Sequence, residues 1–151
     1  MKQFTLPLHS FLQRPTVYLE QFFDSYAMLD TGSLFPVWVA EEQLLKDYGG
    51  ILTAQDVPFG GFGGVTKGNI YEIPTFCVGE LIFPNFPIVA APHRLPCQML
   101  FSATMFSHLV YEIDDQNHQL NITVPDKESV IRNLIIRDID GNLQVFCSGG
   151  D

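Results

Sequence analysis

Asp30-Thr31-Gly32-Ser33 places a carboxylate, two hydroxyls and a glycine between two apolar runs, Tyr26-Ala27-Met28-Leu29 and Leu34-Phe35-Pro36-Val37-Trp38-Val39. The pattern reads as a tight loop between buried segments. A carboxylate presented this way can activate water if a second carboxylate faces it. Two carboxylates about 3 Å apart cannot both ionise easily, so the pair holds one proton between them. The ionised member takes a proton from a bound water, and the protonated member hydrogen-bonds a scissile carbonyl. Water is then the nucleophile, and no acyl-enzyme forms. Asp-Thr-Gly occurs once in this sequence, so the second carboxylate has to come from a second chain. Thr31 is placed to tie the two loops together, Gly32 to let backbone approach the carboxylate, and Ser33 to donate to its outer oxygen, which shifts activity toward mild acid. Taken alone, the tetrapeptide has a second reading: a turn in which Asp30 caps its own backbone and Gly32 supplies a permissive φ.

The elements that must hold this loop have an all-β rhythm, with β-branched and aromatic runs broken by Gly and Pro at short intervals. Phe4–Leu8, Thr16–Phe22 and Ser25–Leu29 read as strands, the last leading into the Asp loop. Ala40–Tyr48 predicts a short helix stopped by Gly49-Gly50. Pro58–Gly64 is a glycine-rich turn. Ile70–Ile73, Phe76–Phe83 and Ile88–Ala90 read as strands, with Pro74, Pro84 and Pro87 marking edges or bends. Ser102–Leu109 is the candidate second helix. Tyr111–Asp114 and Gln119–Val124 form a hairpin, and so do Leu134–Ile139 and Asn142–Phe146 across Asp140-Gly141. Asp126–Asn133 is open between a helical turn and a loop.

A chain of 151 residues fits one domain with a substantial core. Apolar residues make up 46% and charged residues only 17%, which argues against disorder. The formal net charge of −9 repels phosphate backbones and anionic lipid, so neither nucleic acid nor a membrane surface is an expected partner. Cys77, Cys97 and Cys147 are far apart and odd in number, which suggests reduced, mostly buried thiols rather than disulfides or a zinc site. The first ten residues lack the continuous apolar segment of a signal peptide, and no apolar run is long enough to span a bilayer. A cytoplasmic protein is the expectation.

Three segments, taken in order, resemble the retropepsins, the single-domain aspartic peptidases of the retroviral type. The first is Ala27-Met28-Leu29-Asp30-Thr31-Gly32-Ser33. The second, Gly60-Gly61-Phe62-Gly63-Gly64, matches the Gly-Gly-apolar-Gly-Gly flap tip of some retroviral members. The third, Met99-Leu100-Phe101-Ser102-Ala103-Thr104-Met105-Phe106, stands where the family has an apolar-apolar-Gly segment that crosses beneath the active site and enters a helix; Ser102 occupies the glycine position. The resemblance implies a closed β-barrel of the acid-protease type, with one or two short helices and a glycine-rich flap hairpin, over a single domain of residues 1–151. The core spans about 15–125, and 126–151 forms a C-terminal β-hairpin extension. It further implies a homodimeric endopeptidase acting on a polypeptide substrate, with Asp30, Thr31, Gly32 and Ser33 as the catalytic loop and Gly60, Gly61, Phe62, Gly63 and Gly64 as the substrate-covering flap. No cofactor or metal is called for. In retroviral members the chain termini interleave to hold the dimer, which makes the Leu134–Phe146 hairpin a candidate for that role.

The remaining chemistry-bearing residues point elsewhere less strongly. His9, His93, His108 and His118 are dispersed without metal-ligand spacing. Asp138-Ile139-Asp140-Gly141 starts like a calcium loop but lacks the later ligands, and reads better as a hairpin turn. Trp38 reads as core rather than pocket. Two other functions remain open on sequence: a retropepsin-like module that binds peptides or dimerises without cutting, and an unrelated β-barrel binding domain in which Asp-Thr-Gly is incidental. In the last case Asp30 would lie on an exposed hairpin remote from Gly60–Gly64.

Overall fold

A computed structural model describes residues 1–11, 14–22, 25–61 and 64–150. The protein is mostly β. In chain order the strands are β1 (Lys2–Pro7), β2 (His9–Phe11), β3 (Arg14–Leu19), β4 (Ser25–Asp30) and β5 (Val37–Trp38). After the helix α1 (Glu42–Asp47) come β6 (Ile51–Gly61), β7 (Gly64–Val78), β8 (Leu81–Ala90) and β9 (Met99–Ser102). A 3-10 turn at Ala103–Phe106 follows. The chain ends with β10 (Val110–Asp114), β11 (Gln119–Val124), β12 (Ile131–Ile139) and β13 (Asn142–Gly150).

The strands form two sheets. A small one runs β1-β11-β10. A ten-stranded one runs β13-β12-β8-β5-β9-β4-β3-β2, with β7 joining through β8 and β6 through β7. Among the described residues this ladder is open at β13 and β2, so it does not itself make the closed barrel the resemblance implies. The strand expected at Phe4–Leu8 is β1, which starts earlier and pairs antiparallel with β11 from Lys2↔Val124 to Pro7↔Gln119.

The interior holds two apolar clusters. The larger joins Phe22, Trp38, Phe76, Phe83, Phe86 and Phe101 with aliphatics from most strands. Its rings meet in the offset and edge-to-face arrangements that aromatic quadrupoles favour; Phe76 and Phe86 centroids are 4.4 Å apart. Trp38 is fully buried, as expected of a core residue, and its Nε1 donates to the Glu41 carbonyl at 2.9 Å. The smaller cluster, with Phe35, Val37, Val57, Phe59, Val89 and Leu100, lies under the Asp loop.

Several elements differ from expectation for local reasons. Ile51–Gly61 is one long strand despite Asp56 and Pro58. Two register shifts absorb its irregularity, and Asp56 takes φ 54 while its N–H is capped by Asn69 Oδ1 at 3.0 Å. Phe76–Phe83 is not one strand: Gly79, at φ 57, turns the chain so that Val78 pairs with Leu81. Pro84 and Pro87 sit inside β8, and the β7–β8 ladder skips the pair formed by Pro74 and Asn85. The expected helix over Ser102–Leu109 shrinks to the 3-10 turn, because Ser102 is still strand and His108, at φ 65, has left the helical region. Residues 126–133 give a turn and then the start of β12. Cys77 is exposed, Cys97 buried and Cys147 half-buried.

Helix α1 is tied to the long hairpin by polar side chains. Glu42 Oε2 accepts from Asn69 Nδ2 at 2.9 Å and from the Tyr71 hydroxyl at 2.5 Å. Tyr71 is fully buried, and that burial, reinforced by the Glu42 carboxylate, pushes its phenol up to about 12.

Candidate active site

The Asp loop is built by one strand passing between its two arms. β4 runs parallel to β9, with Asp30 beside Ser102, while β5 runs antiparallel to the other side of β9, with Val37 opposite Leu100. Residues 31–36 therefore arch over the end of β9. The apolar runs noted in the sequence are these two arms, and the chain over Met99–Ser102 is the floor they straddle.

Within the arch, Asp30 is half-buried, Thr31 and Gly32 are exposed and Ser33 is half-buried. Asp30 Oδ1 accepts from the Gly32 N–H at 3.1 Å, and the Asp30 carbonyl accepts from the Ser33 N–H at 3.1 Å. The side chain caps its own turn through Oδ1, which fixes the carboxylate's direction. The Ser33 hydroxyl donates to the Phe35 carbonyl at 2.7 Å rather than to the Asp30 carboxylate. A hydroxyl has one proton to give, so within a single chain the expected Ser33-to-carboxylate bond is replaced by a bond that stiffens the loop exit. Gly32 is not at positive φ, and a Cβ there would meet Asp30 Oδ1 at an ordinary 3.5 Å. Nothing among the described residues of its own chain requires glycine at this position.

Asp30, Gly32 and Ser33 line a cleft of about 370 Å³ with Leu34, Phe35, Val37, Phe59, Gly60 and Leu100. The far wall belongs to the long hairpin, in which β6 pairs with β7 out to Gly60↔Val65 and Gly61↔Gly64. Gly60, Gly61 and Gly64, assigned to a flap from sequence, thus sit at the distal end of a two-stranded arm, and Gly60 faces the Asp loop across the cleft. Phe62 and Gly63 lie outside the described residues. Phe35 and Phe59 meet edge-to-face at 5.4 Å and close the bottom of the cleft. Phe59 packs this tightly because residue 68 is glycine: a Cβ there would stand 2.8 Å from the Phe59 ring and 2.8 Å from the Ala90 carbonyl.

Of the lining residues, Leu100 belongs to the Met99–Phe106 segment expected beneath the site, whereas Phe59 is not marked by the sequence. Phe59 is hidden beside a glycine run that dominates its neighbourhood, and only its place one residue before Gly60 hinted at the cleft. A second set is also new. Thr104 Oγ1 donates to the Leu34 carbonyl at 2.7 Å and lies 2.7 Å from Ser102 Oγ. This links the 3-10 turn directly to the exit of the Asp loop. On the other flank, Asp30 and Thr31 border a recess with Phe101, Ala103, Phe106 and Tyr111. Cys97, near the base of β9, is a buried thiol whose pKa burial raises, so it stays protonated and unreactive.

No known protein family profile matches the sequence, and no curated protein does. Among solved structures, the chain is similar to a crystal structure of a retropepsin-like aspartic protease from Rickettsia conorii. The two superpose with a TM-score of 0.52 at 14% identity, over 80% of this chain and 89% of that one. At this identity the likeness establishes a shared fold: a mostly β, retropepsin-like architecture.

Proposed function

We propose that this protein is an aspartic endopeptidase of the retropepsin type, active as a C2 homodimer whose axis passes between two Asp30 side chains. The observation that carries the reading is one cleft with the Asp30 loop on one wall and the glycine-tipped hairpin on the other. The alternative of an incidental Asp-Thr-Gly expects those two features to be remote from each other.

In the dimer each subunit supplies one carboxylate, Thr31 and Gly32 lie at the axis, and water held between the carboxylates attacks the peptide carbonyl. The substrate lies extended between the floor and the hairpin, using main-chain hydrogen bonds as an added strand would. The hairpin ends act as flaps that open for the chain and close over it. Two features support a second copy on this face. Among the described residues nothing in its own chain requires Gly32. Leu34, at the rim of the arch, is 64% exposed. The chain reads as one such domain, carrying its C-terminal hairpin as an addition.

The deciding experiment is cleavage of a diverse peptide library at several pH values. Asp30→Asn is expected to lose activity by about a thousandfold or more with its fold retained. Undiminished cleavage by Asp30→Asn would overturn the reading.

A further inference from the structure

The C-terminal hairpin delivers one residue to an unusual place. Arg132, the second residue of β12, is fully buried. Its Nη1 donates to Glu128 Oε2 at 3.1 Å, and its Nη2 donates to the Ser107 carbonyl and lies 3.4 Å from Cys147 Sγ. Cys147 Sγ in turn reaches the Met105 carbonyl at 3.7 Å. Glu128 Oε2 also accepts from the Gly149 N–H at 3.2 Å. One guanidinium therefore joins both strands of the hairpin to the C-terminal end of the 3-10 turn.

Stability alone is a weak reason for this arrangement. A buried cation loses its hydration, and Arg132 Nε finds no hydrogen-bond partner among the described residues. Apolar residues of similar volume often serve as well or better in such places. What a guanidinium adds is direction, because its planar fork fixes the carbonyl it binds. The element it fixes leads to the Asp loop. The 3-10 turn starts directly after Ser102, which pairs with Asp30, and Thr104 within it holds the Leu34 carbonyl.

We propose that Arg132 is a positioning residue for Asp30. From the C-terminal hairpin it braces the back of the 3-10 turn, whose front, through Thr104, holds the arch that carries the carboxylate. Its catalytic consequence rests on the peptidase reading; its structural consequence does not.

The test reads the arch directly. The Gly32 and Ser33 N–H groups both donate to Asp30, so their hydrogen-exchange rates report its geometry. In Arg132→Met, exchange at Ser33 is expected to rise about threefold to tenfold, the effect of one weakened hydrogen bond. The amide of Ile88, which lies in β8 opposite Tyr71 of β7 and away from the arch, should be unchanged. Thr104→Val should give a similar rise, and the double variant less than the product of the two, because both act on one path. A folded Arg132→Met protein with unchanged Ser33 exchange, or with fully multiplicative effects, overturns the proposal. Should Arg132→Met fail to fold, Glu128→Gln is read instead. It keeps the guanidinium packed but weakens its anchor, and unchanged Ser33 exchange in that variant is equally fatal. In the peptide assay, Arg132→Met should lower kcat with KM held. A wild type that cleaves nothing at any pH sinks the peptidase reading and leaves the exchange result standing.

Discussion

Gly32 separates what a residue does for its own chain from what it does for an assembly. Its φ is ordinary and a methyl group has room beside Asp30 Oδ1. Gly32→Ala should therefore change the stability of the isolated chain by no more than about 0.5 kcal/mol, as at other unconstrained surface positions. If two arches meet at an axis, the same methyl group stands where the partner's backbone must pass. Association and cleavage should then fall about tenfold or more, an amount equal to the loss of one good contact. Thermal unfolding and sedimentation of the same sample check both halves, and a Gly32→Ala protein that unfolds early as a monomer contradicts the argument. Tyr71 gives a second prediction at this scale. Its phenol is raised to about 12 from an ordinary value near 10, first by burial and then by Glu42. The neutral form is the one the folded state favours. The stabilisation is thus fully present below about pH 10 and is lost as pH rises toward 12, because the unfolded chain ionises first. Tyrosinate absorbance should show one phenol titrating late. Glu42→Gln should bring it earlier, since a neutral amide removes the repulsion a tyrosinate meets there.

The C-terminal hairpin, an appendage in the sequence reading, belongs to the fold at the level of elements. Leu134 is buried in the larger core, where Val130, Val145 and Cys147 also pack, while Ile136 and Leu143 lie against the smaller cluster beneath the cleft. Removing residues 126–151 should cost about 3 kcal/mol or more, since the burial of Leu134 alone is worth a large part of that. A truncated chain that melts at the full-length temperature would show the hairpin to be an ornament. Its internal turn was legible: Asp140 and Gly141 both adopt positive φ, as a two-residue hairpin demands, and the alternating flanks fixed the pairing. Its attachment was not, because Arg132 finds its partners on the 3-10 turn and on β13, remote in sequence, and no local pattern marks a buried arginine. The Asp loop shows the same division. Asp30, its apolar flanks and the small residue at 102 could be read from order along the chain. The wall Phe59 could not, since it reaches the cleft only through pairing of β6 with β7, and Leu100 was legible only as part of the segment beneath the site. Strand β6 itself was hidden by Asp56, which falls in a register shift that only the partner strand reveals, and by Pro58, which pairs with Lys67 in step.

At the scale of the whole molecule, charge opposes the assembly that the proposed function calls for. Each chain carries 17 acidic against 8 basic residues, so a dimer brings together two bodies of formal charge −9. The repulsion is long-ranged and is screened by salt, the Debye length falling from about 30 Å at 0.01 M to about 8 Å at 0.15 M. Mild acid acts on the same term by protonating exposed carboxylates. Both treatments should therefore tighten association. Moving from pH 8 to about pH 5 at low salt should strengthen the dimer on the order of tenfold, and adding salt at pH 8 should recover part of that gain. Peptide cleavage should follow the same course, strongest between roughly pH 4 and 6. Sedimentation equilibrium across a grid of pH and salt distinguishes this from an interface held by ion pairs, which salt would weaken. A dimer that loosens on acidification, or a rate that climbs steadily above about pH 7, would contradict an association opposed by charge and relieved by mild acid.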